Sequence, residues 1–117
     1  MNNLTNNMTK NDLRKILKET GFLEVRAGEW NVPNGTGVSY DKRVFSIGTK
    51  YMSYAIGYKI IKSLNDTFIS FKKDREAKIT YKLIPEDMLR DLINRVWLMY
   101  KEAQLELKEA KTKEDFE

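Results

Sequence analysis

The chain contains neither cysteine nor histidine. The first absence excludes disulfides, thiolate nucleophiles and zinc sites built on cysteine. The second removes the commonest general base, the commonest metal ligand and the side chain that titrates near neutral pH. A serine nucleophile therefore has no histidine to activate it, and no G-x-S-x-G occurs. No apolar run approaches the roughly 18 residues that a membrane span requires, so no membrane partner is expected. The N-terminal MNNLTNNMTKND lacks the apolar core of a secretory signal, and the expected location is cytoplasmic. No motif calls for a cofactor or a metal.

What is present is a chain of 117 residues, 41% hydrophobic and 11% aromatic, a composition that supports one packed domain. The net charge of +4 is uneven. Residues 1–40 carry five basic and four acidic groups (+1), residues 41–84 ten and four (+6), and residues 85–117 six and nine (−3). The middle of the chain is thus a basic module suited to phosphates or to an acidic protein surface. Lysine outnumbers arginine 15 to 6 and asparagine occurs nine times, the usage of an AT-rich genome such as that of a low-GC bacterium or its phage.

Periodicity predicts the order α-β-β-α-β-β-α, an α+β domain over residues 9–110 with flexible tails at 1–8 and 111–117. Thr9 and Asp12 resemble a capping box for a first helix, whose apolar stripe is Leu13, Ile16 and Leu17 and whose stop is Gly21. FLEVRAGEW alternates as one strand, with Leu23, Val25 and Ala27 on its inner face. RVFSIG is the second strand, antiparallel to the first across a loop whose best turn signal is Asn34-Gly35. Met52, Ile56, Ile60 and Leu64 recur every fourth residue and predict a helix over about 50–64. TFISFKK and AKITYKLI read as a second hairpin. After Pro85, a long C-terminal helix over about 86–110 carries Leu89, Ile93, Val96, Tyr100, Ala103, Leu107 and Ala110 at heptad spacing. Its length exceeds what a small sheet needs as cover, so Tyr100, Ala103 and Leu107 are a candidate homodimer interface.

The glycine-rich stretch GEWNVPNGTG fails as a phosphate loop. It lacks the lysine of G-x-x-x-x-G-K-[ST], and a strand rather than a helix follows it. It reads as a connector, with Trp30 and Asn34 as candidate partner contacts at a loop held by strands. The basic module offers a second surface. Lys72, Lys78 and Lys82 line one side of the second hairpin, Lys73 and Arg75 its turn, and Tyr51, Tyr54, Tyr58 and Lys62 one face of the middle helix. Cations for a phosphate backbone with rings for the bases are what a single-stranded nucleic-acid surface uses. Asp41 with Glu24 or Glu29, beside Lys42, is the one conceivable Mg²⁺ set for a nuclease.

The expectation is a small non-catalytic binding protein acting through a protein partner. An inhibitor or adaptor of phage or mobile-element type, aimed at host nucleic-acid-handling or defence machinery, fits it. Direct binding of DNA or RNA through residues 41–84 is the alternative, and a Mg²⁺-dependent nuclease ranks third.

Overall fold

A computed structural model describes residues 8–33, 43–62, 64, 66–71 and 76–115. The first helix, α1, spans Lys10–Thr20 and opens on a full capping box. Asp12 N–H donates to Thr9 Oγ1 and Thr9 N–H to Asp12 Oδ2, each at 3.1 Å, so two otherwise unpaired donors are satisfied reciprocally. Leu13, Ile16 and Leu17 are its buried stripe. Gly21 ends it at φ +126°, and a Cβ there would lie 2.8 Å from the Trp97 ring, so both backbone and packing require glycine. Met8, expected in a loose tail, is buried in the core.

Seven strands follow: β1 (Leu23–Arg26), β2 (Glu29–Asn31), β3 (Arg43–Ile47), β4 (Met52–Ala55), β5 (Lys59–Lys62), β6 (Thr67–Ser70) and β7 (Glu76–Ile79). They form a five-stranded antiparallel sheet ordered β1-β2-β3-β4-β7 and a two-stranded sheet β5-β6. A 3-10 turn (Tyr81–Leu83) leads into the long C-terminal helix α2, Glu86–Asp115. The antiparallel α+β class inferred from the sequence is the class observed.

The register gives the large sheet two unlike faces. Glu24, Trp30, Phe45, Tyr54 and Ala77 pair in one continuous row across all five strands. Each row neighbour one residue away lies on the opposite face, and there the register reads Glu29, Ser46, Ser53, Lys78. The first face meets the helices: the Phe22 ring stands edge-on to Phe45 at 4.9 Å and to Trp97 of α2 at 5.2 Å. The second is polar, with Arg43 bridging Glu29 and Glu76.

Four expectations fail in detail. Residues 50–64 are not a helix but β4 and β5, separated at Gly57. A spacing of four is also a multiple of the strand period of two, and the supposed stripe does not share an environment: Met52 is buried, whereas Ile56 is 57% and Leu64 103% exposed. FLEVRAGEW is not one strand but the β1–β2 hairpin, turning at Ala27 and Gly28. AKITYKLI stops as a strand at Ile79, because the Tyr81 hydroxyl donates to the Gly48 carbonyl at 2.7 Å and Leu83 N–H to Thr80 C=O at 3.0 Å, bending the chain into the 3-10 turn. The second hairpin is also re-paired, β6 with β5 and β7 with β4.

The α2 stripe is buried within this chain. Leu89, Ile93, Val96, Tyr100, Ala103 and Leu107 all belong to the core. The helix length beyond Tyr100 is not in excess, since β5 and β6 lie against α2 and Lys111 reaches Asp66, just before β6, at 3.8 Å. Each such apolar side chain contributes about 1.5–3 kcal/mol on burial. Tyr100, Ala103 and Leu107, the candidate dimer contacts, are therefore taken up by their own fold. Among the described residues no helix is long and apolar enough to cross a membrane.

Candidate binding surface

The β1 strand owes its position to the turn that follows it. Gly28 has φ +81°, and its carbonyl accepts from Ile47 N–H at 2.7 Å. A Cβ on it would stand 2.6 Å from the Ile47 carbonyl oxygen. Only glycine lets the chain fold back so closely, which leaves β1 at the rim of the sheet. It pairs with β2 alone, and among the described residues its other edge faces no strand.

Pairing opposite Trp30 sends Glu24 towards α1 and leaves Leu23 on the other face, and Val25 sits at a bulge between Glu24 and Arg26. Leu23 is 43% and Val25 53% exposed. This inverts the sequence expectation, in which Leu23, Val25 and Ala27 pointed inward. The inversion has a cause on the helix: Arg14 Nη2 donates to Glu24 Oε1 at 2.6 Å, and Gly28 N–H donates to Glu24 Oε2 at 3.3 Å. Burial pushes the Glu24 carboxyl pKa up, but the Arg14 and Gly28 hydrogen bonds and the charges of Arg14 and Lys18 outweigh it, and the net shift is downward.

On either side of that ion pair, α1 and β1 enclose a two-lobed cleft. One lobe, about 440 Å³, is lined by Lys10, Arg14 and Glu24 with the successive residues Val25, Arg26, Ala27 and Gly28. The other, about 270 Å³, is lined by Asn11, Arg14, Lys15, Lys18, Glu24 and Trp30. Trp30 is 1% exposed and forms its floor. Its indole Nε1 is buried and has no acceptor among the described residues, an unmet hydrogen bond worth about 1–3 kcal/mol. Lys10, Lys15, Lys18 and Arg26 make no salt bridge among the described residues. The cleft thus presents five cations, one neutralised, beside an open strand edge.

A second groove, about 420 Å³, lies between β4 and the flank of α2, lined by Tyr54, Ala55, Ile56, Leu92, Arg95, Val96 and Met99. Arg95, its one cation, is bridged to Asp91 at 3.4 Å.

The residues singled out in the sequence scatter. Lys72, Lys73, Arg75 and Asn34 lie outside the described residues. Lys78 sits on β7 in the polar row opposite Ser53, and Lys82 is exposed on the 3-10 turn. Lys62 ends β5, paired with Thr67. Tyr51, Tyr54 and Tyr58 do not share a helix face. Tyr51 is exposed before β4, Tyr54 lies in the row of the sheet's inner face, and Tyr58 packs edge-on to Phe71 at 6.5 Å. Burial, then hydrogen bonding and the charges of Glu106 and Glu102, raise the Tyr58 hydroxyl pKa above its ordinary value. Trp30 is a buried core residue, 1% exposed. Glu24 and Glu29 occupy opposite faces of the sheet, while Asp41 and Lys42 are outside the described residues. Among the described residues no three His, Cys, Asp or Glu side chains gather as a metal set.

The cleft itself was missed by sequence reasoning. Its signal was the spacing Lys10, Arg14, Lys18, a basic line at i, i+4, i+8 that a solvated helix face shows equally well. Compared with family models, curated proteins and solved structures, the chain matches none of them.

Proposed function

We propose that the chain is a non-catalytic binding protein, an inhibitor or adaptor, that takes an extended segment of a protein partner along the open edge of β1. The observation that carries this reading is the edge itself: a strand paired, among the described residues, on one side only, with exposed Leu23 and Val25 and an adjoining cleft. A free edge presents a row of backbone donors and acceptors at strand spacing, and an added strand satisfies them while burying the exposed apolar side chains.

The test is site-directed photo-crosslinking in cells. Benzoylphenylalanine placed at Val25 captures the partner, and the same group at Lys78, on the opposite edge strand, does not. Equal capture from both positions, or none from Val25, contradicts the reading.

A further inference from the structure

The cleft beside β1 constrains what kind of segment the edge would receive. A strand added to β1 continues both faces of the sheet. On one face its side chains lie beside Glu24 and the α1 cations; on the other they extend the row of Leu23 and Val25. The spacing on the α1 side is set by the helix. Lys10, Arg14 and Lys18 are four residues apart, a rise of about 6 Å per step. Same-face residues of an extended segment recur every two positions, about 6.7 Å apart. The two repeats are close in length, so same-face side chains of the segment recur at nearly the spacing of the cations along α1.

The charge has one sign available. Arg14 is held by Glu24, but Lys10, Lys15, Lys18 and Arg26 are not bridged among the described residues. The second lobe adds Lys15 to the cations and has among its lining residues Trp30, whose buried indole N–H has no acceptor among the described residues. A carboxylate entering this lobe meets the charges of Lys15 and Lys18. The Glu24 carboxylate in the same cleft disfavours a phosphate dianion more than a monoanionic side chain.

Building on the edge reading above, we propose that the partner segment alternates acidic and apolar residues, with carboxylates against the Lys10–Arg14–Lys18 line and apolar side chains beside Leu23 and Val25.

The test compares three labelled octapeptides, alternating valine with glutamate, threonine or lysine, by fluorescence anisotropy at low and moderate salt. The glutamate peptide binds at least tenfold tighter than the threonine peptide, the lysine peptide binds weakest, and the gap narrows with salt. The Lys18→Glu variant, changed at an exposed helix position, loses the tenfold preference for the glutamate peptide over the threonine peptide. In a ¹H–¹⁵N spectrum the Trp30 indole resonance moves on addition of the glutamate peptide, and that of Trp97 stays. Equal affinity for the glutamate and threonine peptides overturns the acidic assignment and leaves the edge reading standing. Failure of all three to bind overturns the edge reading itself. A thymidine oligonucleotide that displaces the glutamate peptide at lower concentration than the peptide's own reassigns the cations to phosphate and overturns the proposal. An unmoved Trp30 resonance removes the carboxylate from the second lobe.

Discussion

The Arg14 guanidinium meets the Glu24 carboxylate at 2.6 Å and so ties α1 to the rim strand of the sheet. The pair fixes which face of β1 points inward, and therefore which face is left apolar and exposed. Its contribution depends on pH. The folded-state pKa of Glu24 lies below its ordinary value in the unfolded chain, so its stabilisation is present above that ordinary value and is lost as pH falls through the folded pKa. The Glu24→Gln variant is expected to lose about 0.5–1 kcal/mol at neutral pH, and its deficit against the wild type to close as pH falls through the folded-state pKa of Glu24. Urea midpoints at neutral pH and below that pKa check this.

Gly28 supports the same edge from the other side. With φ +81° and a Cβ position 2.6 Å from the Ile47 carbonyl oxygen, Gly28→Ala adds backbone strain and a collision. The expected cost is about 1–3 kcal/mol by denaturant unfolding, together with weaker capture at Val25, because the turn that aligns β1 with β2 is displaced.

Tyr81 acts far from that edge. Its hydroxyl donates to the Gly48 carbonyl at 2.7 Å and pins the 3-10 turn to the β3–β4 connection. Tyr81→Phe is expected to destabilise by about 1 kcal/mol in thermal unfolding while leaving peptide binding at β1 unchanged. A change in binding would place the binding surface elsewhere.

Leu107 separates a core stripe from an oligomer stripe. Being 6% exposed within its own chain, it should cost about 2–4 kcal/mol when changed to alanine, by the same amount at every protein concentration. An interface residue would instead show a loss that varies with concentration.

The sequence disclosed the parts governed by local chemistry. The Thr9–Asp12 box, the Gly21 stop and the heptad stripe of α2 depend on neighbours within one or two turns, and all three are in place. Parts decided by long-range pairing were not legible. Met52, Ile56 and Ile60 satisfy a helical and an extended period alike, and only pairing of Met52 with Ile47 and Ile79 selects the strand. Leu23 and Val25 look like inward residues until Arg14, nine and eleven positions away, claims Glu24 for the inner face. The cleft was illegible for the same reason, since its cations come from a helix and its backbone from a strand whose facing the sequence does not reveal.

The central claim, that the open edge of β1 receives an extended partner segment, is tested most directly by amide hydrogen exchange with and without the glutamate–valine octapeptide. The account predicts slowed exchange at Leu23–Arg26, with β7 unchanged. Slowing confined to β7 or to the groove between β4 and α2, or no slowing at all, would contradict it.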